Sequence, residues 1–378
     1  MYIGNSRMLL GKNTNEKMLG DWLAVAPSTA SSGTYGINNG SGGFCSEIFN
    51  GYLYVGGEFT QIINNTNTTF TPNNLIKYKL QDNTNGWENA LTTNIQSIQS
   101  MRSIGNGDDL LLGASEGLYY LDDTADTTPT EISPSEDLGP ISGISNVFTS
   151  ININGTTHSH TSNNYMCIVG EVFGPPRVYN GSNRTVSAGL TSNVFMVDSY
   201  VTSNTSGKIL GIDVNGSFLA KSTGLTDYNT NYPNAYPQQE DGEYFQCMTS
   251  IPAYPNIIYI ATAAGSNIYV FNHSQETYSP PIELGVGIDP ITLNTVVYKN
   301  INYLIVGGRF GMRIVNPEDT SVVKDVPFPF ETNNKRIRSI SVDSDSTIYV
   351  TGSFQFTDKN GVTAKNIAKF VPDPSKLP

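Results

Sequence analysis

Few residues of this 378-residue chain combine a reactive type with a spacing that could do chemistry. Only three histidines occur, and two of them stand as His158-Ser159-His160 in a Ser/Thr/Asn-rich stretch. Histidines at alternate positions of a strand could share a metal, but no Cys or carboxylate partner lies nearby in sequence, so the pair reads as a polar hairpin tip. The acidic runs Asp122-Asp123-Thr124-Ala125-Asp126 and Asp343-Ser344-Asp345-Ser346 offer calcium-type oxygens. Neither has the central glycine and bidentate glutamate of an EF-hand loop, and turns select Asp on their own account. No GxSxG elbow, phosphate loop or dinucleotide fingerprint appears. Catalytic, cofactor-binding and metal residues are therefore expected to be none, and the chain is not expected to be an enzyme.

What remains is surface. The segment from Asp227 to Tyr244 sets Tyr228, Tyr232, Tyr236 and Tyr244 among prolines and amides, in a loop too long for a plain connector. Tyrosine is enriched in interfaces because it offers apolar area and a hydroxyl, which makes these four the candidate partner-binding residues. The alternative is a self-packed Ω-loop.

Elements that could position such a surface must be strands. With 36 Gly, 20 Pro and 14% charged residues, the chain suits many short strands joined by turns, and its length is ample for a large core. A net charge of −12 and a pI near 4.7 argue against a nucleic-acid partner, whose phosphates need a basic stripe. The only basic cluster, Lys335-Arg336-Ile337-Arg338, reads as an exposed strand start. Cys45, Cys167 and Cys247 are an odd number set far apart and read as small buried residues, with no disulfide framework. Neither a signal peptide nor a transmembrane run is expected, which implies a cytoplasmic chain unless it belongs to a particle.

The text repeats. Leu53-Tyr-Val-Gly-Gly-Glu-Phe59 followed by Asn74-Leu-Ile-Lys-Tyr-Lys-Leu80 returns as Ile348-Tyr-Val-Thr-Gly-Ser-Phe354 followed by Asn366-Ile-Ala-Lys-Phe370, and again around Gly307, Gly308 and Phe310. Each unit is a hairpin of alternating apolar strands with glycines where backbones crowd. Gly308 and Gly352 lie 44 positions apart, within the period of propeller blades. The wording resembles the kelch-like propeller repeats of the LYVGGxF…NIAxWDG type, found in secreted bacterial proteins, fungal cortical markers and large DNA viruses. Where that family has Trp-Asp-Gly, this chain has Tyr78-Lys79-Leu80 and Phe370-Val371-Pro372.

The expected fold is thus all-β, a seven-bladed β-propeller, with six or eight blades left open by the irregular fourth. Residues 1–16 read as an N-terminal arm and 17–378 as a single propeller domain. Pro27 to Gly43 reads as flexible, with the first inner strand at Phe44 to Phe49 and loops at Gln61 to Asn73 and Asp358 to Ala364. Blade three is expected to open on Ile144 to Ile153. Because blade seven stops at its third strand, Gly20 to Ala26 is expected to supply the fourth, with Trp22 standing where Trp87 stands in blade one. The functional expectation is a non-enzymatic structural or protein-interaction scaffold with protein partners and no cofactor. The resemblance adds a virion component by analogy. A glycan-binding or carbohydrate-active propeller using the central funnel is the alternative.

Overall fold

In the computed structural model the described residues are 19–65, 68–81, 84–104, 109–132, 140–144, 150–153, 156–159, 166–171, 177–180, 184–186, 198–201, 208–212, 218–222, 244–251, 253–254, 256–263, 267–272, 275, 277–285, 289–309, 311–319, 323–326, 329, 335–373 and 375–377. Their strands form antiparallel blades in which alternate side chains pack against the blade on either side. The innermost strands are Gly33–Phe49, Ile98–Ile104, Ile141–Ile144, Asp198–Val201, Tyr244–Ser250, Pro290–Tyr298 and Arg336–Val342. Each contacts the next in that order, and the last contacts the first, so seven blades close a ring around a channel. Blade four shows three strands among the described residues, Asp198–Val201, Lys208–Ile212 and Phe218–Ser222.

Blade seven is completed by the N-terminal strand. Gly20–Ala24 runs antiparallel to Val362–Pro372, with Trp22 opposite Phe370. Trp22 is 4% exposed, and its ring lies 5.0 Å from that of Phe370 at 49°. In blade one Trp87 lies opposite Tyr78, with rings 5.1 Å apart at the same 49°. The two tryptophans thus hold equivalent places, although one arrives from the far end of the chain. Beyond the strand, the Asp373 N–H donates to the Leu19 carbonyl at 2.7 Å, which extends the pairing by one bond past Gly20 and Pro372.

The repeated asparagine has a mechanical reason. Asn74 and Asn366 both adopt a left-handed backbone, with φ of 64° and 65°, a conformation that Asn tolerates better than most residues. Each side-chain oxygen then accepts from the backbone N–H of the repeat's phenylalanine, Phe59 at 3.0 Å and Phe354 at 2.8 Å. Each amide nitrogen donates to a carbonyl of the segment leading into the next blade, Ile95 and Ile37, at 2.9 Å in both cases. Replacing Asn366 by Ala is expected to cost about 2–4 kcal/mol, combining left-handed strain with two orphaned backbone groups. Asn366→Gly should recover only the strain; denaturant unfolding of the two variants measures the split.

Three expectations are corrected above the ring. Gly33 to Gly43 is strand, not a flexible stretch: the inner strand of blade one begins at Gly33 and pairs in parallel with Val362 to Lys365 of blade seven. The expected loop at Gln61 is strand as far as Asn65, and Thr68–Phe70 turns back along it. The expected loop at Asp358 shrinks to Asp358–Gly361, where the Asp358 carboxylate accepts from the Asn360 and Val362 N–H groups. Together these lengths make a raised sheet that straddles the blade seven–blade one seam. Its glycines allow what the flexible reading missed: Gly36, at φ 125°, comes so close to the Lys365 carbonyl that a Cβ would collide with it.

Blade three also differs. Its inner strand is Ile141–Ile144, while Ser150–Ile153 and Thr156–Ser159 form a separate hairpin. His158 lies within that hairpin strand, opposite Ile151, not at a tip; His160 lies outside the described residues.

Candidate functional site

The channel wall is shaped by one irregularity repeated around the ring. In blade one the register passes from Gly43↔Gly57 to Cys45↔Gly56, leaving Phe44 as an extra residue. The same one-residue bulge leaves out Gln99, Ser142, Gln246, Ile291 and Arg338 in blades two, three, five, six and seven. Bulges re-aim side chains and recur beside functional sites. Here they set a collar of residues at one level of the channel.

The residue after each bulge is small: Cys45, Ser100, Gly143, Cys247, Thr292 and Ser339. In three blades it faces the first glycine of the repeat, and the residue before the bulge in the following blade closes the space. A Cβ on Gly56 would lie 2.7 Å from Ile98, one on Gly113 2.7 Å from Ile141, and one on Gly307 2.6 Å from Ile337. The repeat glycine is therefore a socket, and the isoleucine of the next blade fills it.

Of the collar residues whose side chains are described, Phe44 and Ile291 are apolar, Gln99 and Gln246 are amides, and Arg338 is the one charge; all five are half-buried. The Arg338 guanidinium lies 4.8 Å over the Phe44 ring. Burial first, and the neighbouring Arg336 charge second, hold its pKa below the usual arginine range. The basic cluster read as an exposed strand start thus turns its Arg338 into the channel wall.

Below the collar, hydroxyls bind one another. Ser46 Oγ lies 2.7 Å from Ser341 Oγ and 3.0 Å from Ser339 Oγ, and the Ser46 N–H donates to Ser339 Oγ at 3.0 Å. Glu47 accepts from the Ser103 hydroxyl at 2.8 Å and the Ser103 N–H at 3.1 Å. At the lower mouth a cleft of about 420 Å³ is lined by Glu47, Arg102, Asn294, Val297, Ser341 and Asp343, among others. Among the described residues none of these serines touches a histidine or lysine base, as an activated nucleophile would need. Among the described residues no group of three or more His, Cys, Asp or Glu is placed to hold a metal.

The acidic runs are turn-builders. Asp123 Oδ1 accepts from the Ala125 and Asp126 N–H groups, Asp126 Oδ1 from the Thr128 N–H, and Asp343 Oδ1 from the Ser344 N–H. Cys45 and Cys247 are buried thiols; burial pushes the Cys45 thiol up, and it donates to the Ile98 carbonyl at 3.6 Å. Tyr228, Tyr232 and Tyr236 lie outside the described residues. Tyr244 begins the inner strand of blade five, opposite Ala263, where the sequence reading had it end the loop.

No protein-family model matches the chain, and no curated protein does. Solved structures do. The chain is similar to the crystal structure of the WD40 beta propeller domain of Doa1, with a TM-score of 0.57 over 95% of this chain and 99% of that one. At 9% identity this likeness carries the propeller fold alone. It supports a β-propeller of repeated blades without selecting the kelch-like repeat type. No helix among the described residues is long and apolar enough to cross a membrane.

The collar escaped sequence reading because a bulge leaves no break in apolar alternation. Its signal was nonetheless present: a knob, any residue, then a small one, as in Ile98-Gln99-Ser100 and Ile337-Arg338-Ser339.

Proposed function

We propose that this propeller is a non-enzymatic protein-interaction or structural module whose partners belong to a larger assembly, such as a virus or phage particle. One observation carries the reading: the collar offers an aromatic, an aliphatic, amides and an arginine, while the hydroxyls and Glu47 beneath it are already engaged with one another. Such a set binds and does not activate. The particle assignment rests on the sequence resemblance and on Asn/Thr-rich text, and Tyr228, Tyr232 and Tyr236, with Tyr244 at the start of the inner strand of blade five, remain part of the proposed partner surface.

Affinity isolation of the tagged chain from its native source, with cross-linking, tests this beside a glycan array. A defined protein retained in fixed ratio, with no saturable glycan binding, is the expected result. Saturable glycan binding without a retained protein would overturn the reading.

A further inference from the structure

Arg184, Arg309 and Arg313 each hold an aspartate: Asp109, Asp289 and Asp325 respectively. Arg336 and Arg338 hold none among the described residues, in a chain whose net charge is −12. Arg338 is half-buried at the bulge with only the face of Phe44 against its guanidinium. A cation–π contact offsets part of the desolvation but leaves all five N–H donors of the fork unused. Arg309, bridged to Arg336 across the blade six–blade seven boundary, adds a third guanidinium, and among the described residues Asp289, paired with Arg309, is the one carboxylate that any of the three holds.

We propose that the collar, together with Arg336 beside it at the start of the inner strand of blade seven, binds an extended acidic peptide segment of a partner protein, with Arg338 and Arg336 each receiving a carboxylate. This rests on the protein-interaction reading and names the kind of partner. Planar guanidinium and carboxylate groups match in bidentate geometry, which is stronger and more specific than a point-charge contact. The two arginines flank Ile337 on one strand, with Arg338 set at the bulge, so carboxylates a few residues apart on a single extended peptide, which rises about 3.3 Å per residue, can reach both. Around the same collar the Gln99 and Gln246 amides each offer a donor and an acceptor, the complement of a peptide main chain. A nucleic acid, with one charge per phosphate along its length, needs a basic stripe, whereas two or three guanidiniums match only a short acidic segment.

The probe is a fluorescein-labelled hexapeptide of alternating Glu and Ser, read by anisotropy at low salt and compared with its Gln/Ser counterpart. Variants are Arg338→Met, which keeps an apolar stem over Phe44, Arg336→Gln, their double, and Lys359→Gln, which removes a cation paired with Asp21 on the outer strand of blade seven. The acidic peptide is expected to bind the wild-type chain, and the double variant about tenfold or more weakly, since each charge-assisted bond carries that order of affinity. Lys359→Gln should bind as the wild type does. The arginine variants should melt as the wild type does, because neither arginine closes an ion pair among the described residues, and loss of the exposed Lys359–Asp21 pair should shift the melt little. Equal binding of the Gln/Ser peptide, undiminished binding by the double variant, or displacement by oligothymidine or millimolar phosphate would overturn the proposal. Should the double variant lose the peptide yet retain the protein partner isolated from the native source, the interaction reading stands and this site is not its contact.

Discussion

A chain beginning at residue 27 is expected to aggregate or stay unfolded, whereas one beginning at residue 17 is expected to fold. The difference is the strand Gly20–Ala24, which supplies the outer ladder of blade seven from Gly20↔Pro372 to Ala24↔Ala368. Leu19, Trp22 and Val25 are each less than 10% exposed. Burying a large apolar side chain contributes about 1.5–3 kcal/mol, so losing three removes roughly 5–9 kcal/mol from a total stability of about 5–15 kcal/mol. The damage does not end with the strand. Phe370 loses the ring packed on it, and Ala368 to Pro372 becomes an unpaired edge open to other chains. Further along, the Ala26 and Val25 carbonyls that accept from the Tyr78 hydroxyl and the Trp87 indole would also go, which loosens blade one. Size-exclusion profiles and thermal melts of the two truncations, expressed side by side, decide the matter. A monomeric chain from residue 27 with a cooperative melt would mean that the ring closes without this strand.

The closure was legible because both of its halves are patterned text: an aromatic-bearing run from Gly20 to Ala26 and a blade whose third strand runs into Pro372 and Pro374, which a central strand does not admit. The raised sheet over the same seam was not, for a physical reason. From Gly33 to Gly43 only Thr34, Tyr35 and Ile37 interrupt glycine, serine and asparagine, so no apolar period exists to be read. That strand is specified by its neighbours' main chains, through the parallel pairing with Val362 to Lys365 and the Asn366 amide on the Ile37 carbonyl. Blade three shows the converse failure. Ile151 and Ile153 alternate as an inner strand should, yet they belong to a hairpin of their own, because alternation marks a strand without saying which sheet it joins. The candidate site was half visible: the basic cluster stood out, but only the bulge explains why Arg338 faces a ring of amides and apolar groups.

The glycine sockets carry the second large expected effect, and they tie the repeat to the ring. Adding a methyl at Gly307 would set it 2.6 Å from Ile337 and 2.9 Å from Thr292, well inside contact distance on two sides. Overpacking of this kind costs about 1–3 kcal/mol, and emptying the knob by Ile337→Ala costs about 2–5 kcal/mol. Because the new methyl would occupy space that the isoleucine vacates, the double variant should be more stable than the two single losses predict, by about 0.5–3 kcal/mol in a double-mutant cycle. At Gly113 the methyl would meet Ser100 Oγ first, at 2.2 Å, and Ile141 at 2.7 Å, so Ile141→Ala should relieve less of the strain there. The seam between blades seven and one inverts the arrangement: Thr351 occupies the socket position, Gly43 the knob position, and a Cβ on Gly43 would meet Thr351 at 3.0 Å. Thr351 is fully buried and its hydroxyl has no hydrogen-bond partner, so Thr351→Val should hold or raise stability, since it removes an unmatched polar atom at nearly constant shape. Gly43→Ile alone should be as damaging as filling any socket, while Gly43→Ile with Thr351→Gly restores the order of knob and socket found between blades six and seven and should recover much of the loss. Denaturant midpoints with unchanged slopes measure all of these. Strict additivity at Gly307 and Ile337 would show that the glycine serves the bulge alone and that adjacent blades do not interlock through it.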